Sequence, residues 1–354
     1  MKRLVIAALA IGAMAACTKS NVQYEQPGEI SLQPVTQKAT KAAVDGTHYP
    51  TGEAYNFKVW AWWGEYDAGT PLSNFSDTTP YIEEGEFIAR NNVSWGGKTP
   101  YYWPTKGSLV FAGYSPASAA GPATFSYNIA DKSFTAQNYI QSNNISESKD
   151  LMWFDVTDES YDNNGTAGIP VTFKHALSWL TFKFNLLSDA TAQKWTITDV
   201  QLNGIEDKAD FTAVKNGATT WTEAIKSAEG KDVIDVYAGT SYTVSYVEGG
   251  TVLPGTDVAN ETVMNNAVLV IPQSCAEGNA KLVITYNMKT YVGDGVLTGQ
   301  TVELPLTGAQ IADNKWLPGK HYIYTITFGA NEILIAPKVA DWEDVTVDNI
   351  NVQK

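Results

Sequence analysis

From about Tyr55 onward the chain is written in short runs that alternate or are wholly apolar: FKVWAWW, SLVFAGYS, IPVTF, LTFKFNLL, WTITDVQL, AVLVIP, KLVITYNM, TVELPL and HYIYTITF. Aromatic and β-branched residues dominate the runs, and Gly, Asn, Asp and Pro fill the gaps, as in strands joined by turns. Helical spacing is scarce: only TWTEAIKSAEG, near 220 to 230, reads as a short helix, and ALSWL as a single turn. Parallel βαβ folds lose their main support, because each parallel pair needs a long crossover, usually a helix. The pattern predicts an all-β chain of antiparallel sandwiches or barrels.

About 310 residues lie beyond the amino-terminal leader, more than one sandwich usually takes, so two domains are expected. The polar interval LLSDATAQKW places their boundary near 186 to 196, giving domains of residues 47–190 and 191–354.

The chain opens MKRLVIAALAIGAMAACTKS. Lys2 and Arg3, an apolar run from Leu4 to Ala13 and small residues before Cys17 make an export signal of residues 1–16, too short for a spanning helix. A cysteine after two small residues looks like a bacterial lipobox, in which Cys17 is lipidated and the signal is cut before it. Each buried acyl methylene contributes about 0.8 kcal/mol, so two or three chains tether a protein firmly to a membrane. A soluble secreted protein cut after Ala16 is the alternative. With Cys17 lipidated, Cys275 is the remaining thiol and cannot close an internal disulfide; it reads as a small, partly buried residue near a strand end.

The full chain has 24 Lys and Arg against 38 Asp and Glu; cutting before Cys17 removes Lys2 and Arg3, leaving 22 and a formal charge of −16. Arg90 is then the remaining arginine. So acidic a surface repels phosphate backbones, which excludes nucleic acid as a partner. No H-E-x-x-H, G-x-S-x-G, C-x-x-C or G-x-x-x-x-G-K occurs, so neither an enzyme nor a cofactor is expected. The acidic stretch DVTDESYDNNG, Asp155 to Gly165, departs from calcium-loop spacing and reads as a solvated loop, with no metal expected. Aromatic clusters at KVWAWWGEY and TPYYWPTKG are candidates for stacking on a glycan. Alternation, however, buries Trp60 and Trp62 together and leaves Trp63 on the other face, so core packing is the favoured use of these aromatics, Tyr101, Tyr102 and Trp103 included.

The leader, residues 17–46, is polar, with Ile30 and Leu32 spaced like one face of a short strand. Left alone it buries too little to fold, so it is a tether, a strand borrowed by something else, or both.

One of the three histidines lies in FKHALSWLTFKF. Val171, Phe173, His175 and Leu177 share one parity, and Leu180, Phe182 and Phe184 the other, so a bulge or turn between Ala176 and Trp179 must reset the phase. His175 then sits beside a kink, where its ring satisfies backbone groups freed by the break. A catalytic reading would need a nucleophile and an orienting carboxylate in a known signature, and none is present.

These residues carry a resemblance. FKHALSWLTFKF is similar to the F-x-H-A-L segment and following strand of fimbrillin-like proteins, the subunits of type V pili. WLPGKHYIYTITFGANEILIAPKVADW resembles the family's W-x-x-G-x-x-Y-x-Y-x-I strand and its V-x-x-W close, with Trp316, Gly319, Tyr322, Tyr324, Ile326, Val339 and Trp342 in those places. The lipobox with EISLQPVTQKATKA resembles the family's first strand and the basic residue after it.

The resemblance implies two tandem transthyretin-like β-sandwich domains and a lipoprotein precursor at the outer membrane. There a protease cuts after a basic residue and removes the first strand. A strand from another fimbrial subunit, generally its carboxyl-terminal extension, then fills the groove and builds a cell-surface fimbrium. Mapped here, the removable strand lies within Glu29 to Thr40, with Ile30 and Leu32 inward. The family often has arginine at the cut; this leader has Lys41 and Lys38 instead, so cleavage is expected after Lys41, with Lys38 second, unless both are ordinary tether charges. In residues 343–354, Val345 and Val347, then Ile350 and Val352, alternate as a donor strand would, or as a last edge strand completing its own sandwich. The alternative function is a tip adhesin or stand-alone surface lipoprotein that binds a glycan or host ligand.

Overall fold

The computed structural model describes residues 28–36, 49, 51–64, 79–91, 94–119, 121–159, 168–187, 193–215, 218–239, 241–256, 266–276, 279–290, 295–308, 310–329 and 333–341. Among them there are strands and short 3-10 turns but no α-helix. In chain order the amino-terminal strands are β1 (Ser31–Thr36), β2 (Phe57–Gly64), β3 (Ile82–Ala89), β4 (Trp95–Gly97), β5 (Ser108–Ser115), β6 (Thr124–Asn128), β7 (Ser133–Ile140), β8 (Met152–Glu159) and β9 (Ile169–His175). Then follow β10 (Ser178–Leu186), β11 (Gln193–Asn203), β12 (Lys208–Val214), β13 (Thr219–Trp221), β14 (Val233–Tyr237), β15 (Tyr242–Thr243) and β16 (Thr251–Val252). The last are β17 (Val268–Val270), β18 (Lys281–Thr290), β19 (Val296–Pro305), β20 (Lys320–Phe328) and β21 (Ile333–Asp341).

Seven strands close a barrel in the order β1-β4-β3-β2-β5-β8-β9. Alternation decides what fills it. Phe57, Val59 and Ala61 of β2, Leu109 and Phe111 of β5, Phe154 of β8 and Val171 and Phe173 of β9 point inward and are wholly buried. The intervening residues of the same strands, Trp60, Trp62, Val110, Ala112, Tyr114 and Trp153, face outward and are buried as well. They are covered by an outer sheet, β13-β12-β7-β6, which contributes Phe134, Ala136, Tyr139, Phe211 and Ala213. Burial on both faces explains why these strands read as nearly continuous apolar runs.

The remaining strands make two sheets, β16-β10-β20-β21 with β17 also on β10, and β14-β11-β18-β19 with β15 also on β11. They pack face to face through Leu180, Phe182 and Phe184 of β10, Tyr322, Tyr324 and Ile326 of β20, and Ile197, Leu202, Leu282 and Ile284 opposite. The fold class is all-β, but a closed barrel with an outer sheet and one face-to-face pair of sheets stand where two tandem sandwiches were expected. Strand β10, placed ahead of residue 190 by the sequence, pairs with β20 along its length, and the outer sheet joins β7 to β12. Both halves therefore share strands across the expected boundary.

The stretch TWTEAIKSAEG is not a helix. Thr219–Trp221 is strand β13 on β12, and Ile225 makes an isolated bridge to Lys208. A single weak helical stripe loses here to cross-strand pairing and to Trp221, whose ring packs on Phe211 and Tyr139. The phase break at ALSWL is a bend between β9 and β10, not a helical turn, and it moves the chain out of the barrel and into the β10 sheet.

Candidate functional site

Strand β1 is the seam of the barrel. It pairs antiparallel with β4 over only Ser31 and Leu32, and parallel with β9 from Leu32 to Thr36. Upstream of the strand, the Trp103 amide donates to the Gly28 carbonyl at 3.1 Å and the Ile30 amide to the Tyr101 carbonyl at 2.8 Å. Ile30 and Leu32 are both 0% exposed among Trp95, Phe173 and Tyr49. Burying two such aliphatic side chains contributes about 3 to 6 kcal/mol.

At the head of the seam, Arg90 Nη2 donates to Glu29 Oε1 at 3.0 Å and to the Gly97 carbonyl at 2.6 Å. Gly96 leaves room for the pair, since a Cβ there would lie 2.8 Å from Arg90 Nε and 2.9 Å from Glu29 Oε1. At the other end, Tyr49 is buried in the barrel, stacked on Phe173 at 5.0 Å and edge-on to Trp95 and Phe57. Its hydroxyl hydrogen-bonds Ser115, and burial holds the phenol above its usual range. The stretch that holds Lys38 and Lys41 is thus bracketed by two buried anchors. Sequence reading missed Tyr49 and the Arg90–Glu29 pair; the one signal for the pair was that Arg90 is the lone arginine after the signal.

The described chain matches the Fimbrillin-like family model over residues 40–342. The chain belongs to that family. Among solved structures it is similar to a fimbrial protein from Bacteroides vulgatus, with 18% identity and a TM-score of 0.60 over 88% of this chain and 99% of that one. Candidate cell adhesion proteins also align: one from Parabacteroides distasonis at 12% identity and TM-score 0.49, covering 90% and 98% of the two chains. Another, from Bacteroides uniformis, has 16% identity and TM-score 0.46, covering 89% and 98%. No curated protein matches the chain. In this fimbrillin-like chain the seam strand lies ahead of the family match, and residues 343–354 lie beyond it.

The motif residues are buried frame. Phe173 faces the barrel interior, Leu177 the layer between barrel and outer sheet, and Trp316, Tyr322 and Tyr324 the core between the β10 and β11 sheets. Trp316 Nε1 donates to the Tyr324 hydroxyl at 2.8 Å, which donates on to the Leu306 carbonyl at 2.9 Å. The Tyr322 hydroxyl accepts the Leu317 amide at 2.8 Å. Gly319, with φ +65°, is required for its conformation, and its amide donates to Leu177 in the bend at 2.8 Å. His175 sits beside the bend as expected, but its Nδ1 pairs with the Asp150 carboxylate at 2.7 Å. The backbone of the bend is tied elsewhere: the Ala176 amide to Leu151, and its carbonyl to Trp221 Nε1.

Cys275 is wholly buried, not partly, and burial pushes its thiol up to about 11. Of the aromatic clusters, Trp60, Trp62 and Trp103 are buried, Tyr101 stacks on Phe87, and Trp63 and Tyr102 remain exposed. Asp155 is 4% exposed at its side chain, 4.0 Å from Lys174, and most of the acidic stretch after it lies outside the described residues. So do Cys17, Lys38, Lys41, Trp342, Val345, Val347, Ile350 and Val352. Among the described residues no group of three or more His, Cys, Asp or Glu is placed to hold a metal.

Proposed function

We propose that this fimbrillin-like chain is a structural subunit of cell-surface fimbriae, exported as an outer-membrane lipoprotein on Cys17 and assembled by donor-strand exchange after proteolysis. The observation that carries the reading is the seam: the barrel is closed by one six-residue strand, followed by a stretch with two lysines. A cut after Lys41, or second after Lys38, frees β1 from the body. Its departure bares the β4 and β9 edges and the apolar places of Ile30 and Leu32, a slot that a strand from another subunit fills by main-chain pairing and alternate side chains. In this reading the barrel is a transthyretin-like sandwich shut at one seam, the second sandwich is the β10–β11 pair, and residues 343–354 with Val345, Val347, Ile350 and Val352 donate.

The test is assembly of the lysine variant. Lys38→Gln with Lys41→Gln should leave full-length precursor on the surface and stop fibre growth. Fibres of normal length from that variant would end the cleavage reading. Palmitate labelling lost in Cys17→Ser tests the anchor separately.

A further inference from the structure

The rim of the barrel remote from the β9–β10 bend carries three exposed aromatic side chains. Strand β2 ends there at Gly64, opposite Ser108 of β5; β3 begins there at Ile82, opposite Ala61; and Tyr102 bridges to Glu29 just ahead of β1. Trp63 has the inward parity of Val59 and Ala61, but at the barrel mouth it emerges 37% exposed. Tyr81, whose amide donates to the Ala61 carbonyl, is 41% exposed, and Tyr102 is 49% exposed. We propose that Trp63, Tyr81 and Tyr102 form a platform for an uncharged glycan, which lays the C–H faces of its pyranose rings on them. The proposal is independent of strand exchange.

Two of the rings are fixed before any ligand arrives. Trp63 Nε1 donates to the Lys106 carbonyl at 2.7 Å, and the Tyr81 hydroxyl donates to the Tyr102 carbonyl at 2.6 Å. Both polar atoms are engaged by one loop, residues 102–107, which leaves the rings to bind through their faces. Gly107 lets the indole approach that loop: its φ is +79°, and a Cβ there would fall 2.7 Å from Trp63 Nε1 and 2.4 Å from the Gly64 carbonyl. A rigid ring with an anchored polar end loses little conformational freedom when a ligand settles on it.

The make-up of the rim selects the ligand class. Among the described residues its exposed large apolar side chains are all aromatic, whereas the exposed Val296, Leu297 and Leu334 lie on β19 and β21. At these exposures the three rings offer roughly 250 Å² of apolar surface, against about 800 Å² per partner in a stable protein interface. That area suits one or two sugar rings and falls well short of a second protein. The hydroxyls around a sugar's edge need polar partners beside the rings, and Thr105 and Lys106 are exposed on the same loop. The formal charge of −14 opposes sialylated and sulfated chains, so the glycan is uncharged.

The experiment applies the exported, uncut chain to an array that carries uncharged, sialylated and sulfated glycans, and titrates the best ligand by calorimetry. The expected result is retention by uncharged pyranose glycans in preference to the charged ones. Trp63→Ala and Tyr102→Ala should each weaken the best ligand about tenfold. Tyr81→Phe keeps the ring and removes its anchor, and should weaken it about threefold. Thermal unfolding beside the native chain checks that each variant keeps the fold. An array that retains nothing, retention by charged glycans alone, or native affinity in both alanine variants would overturn the platform. If Trp63→Ala abolishes self-association in sedimentation and leaves glycan affinity unchanged, the rim is a contact between copies and the proposal falls.

Discussion

The barrel and the β10–β11 sandwich bury similar kinds of side chain but are completed in different ways. Every strand of the sandwich core lies between residues 178 and 341, inside the family match. The barrel core needs Ile30 and Leu32, which arrive from the leader ahead of that match on a strand with two residue pairs to one neighbour and five to the other. One core is finished by the body of the chain; the other is finished by a strand that a single cut disconnects. On the proposed strand exchange that difference makes the seam the assembly site, because a missing strand exposes main-chain groups and apolar surface together.

The sharpest way to break the comparison is to spoil the seam alone. Leu32→Asp places an unpaired carboxylate at a wholly buried position and should cost about 3 to 5 kcal/mol. Hydrogen exchange should show protection lost first in β4 and β9, with β11 and β18 retained. Equal loss in both regions would mean that the two cores melt as one.

Next is the sandwich's own polar lock. Tyr324→Phe removes the hydroxyl that joins Trp316 Nε1 to the Leu306 carbonyl inside the core, and about 1 to 3 kcal/mol should be lost in urea denaturation. The seam amides should keep their relative protection.

Acid should also act on the sandwich side. His321 lies at the start of β20, stacked on Trp179 at 3.5 Å, with Nε2 at 2.8 Å from the Thr181 hydroxyl. Burial, helped by Lys183, holds its pKa down to about 3 from an ordinary 6.5. The unfolded chain therefore binds a proton below 6.5 that the folded chain refuses until about 3, so stability is complete above 6.5 and falls as the pH drops through that window. Between pH 5.5 and 4.5 this one group should contribute a loss of about 1.4 kcal/mol, visible as the difference in slope between the native chain and His321→Gln.

The smallest effect belongs to the Arg90–Glu29 pair. Its side chains are 38% and 39% exposed, so Glu29→Gln should change the stability of the uncut chain by no more than about 1 kcal/mol, measured by thermal unfolding. A larger loss would make the pair a main brace of the seam.

Much of the strand content was legible because period-2 alternation and turn residues are local signals. The phase change between Phe173 and Leu180 was legible too, since parity alone requires a break. What stayed hidden is non-local. Nothing near Ile30 says that β1 will lie parallel to β9, some 140 residues later, or that β12 will join β7. Asp150, the partner of His175, lies 25 residues upstream in a loop with no marker. Tyr49, beside Pro50 just past the polar leader, lies in no alternating run that would mark it as core. The expected helix near 225 failed because Trp221 found a core to enter, and tertiary packing outweighs a weak helical stripe.

The measurement that tests the central claim most directly is amino-terminal sequencing of the protein extracted from assembled fibres. The account predicts a chain that begins at Ala42, or at Ala39 after the second cut, with β1 gone. Fibre protein that still begins at a lipidated Cys17, carrying Ile30 and Leu32, would contradict it.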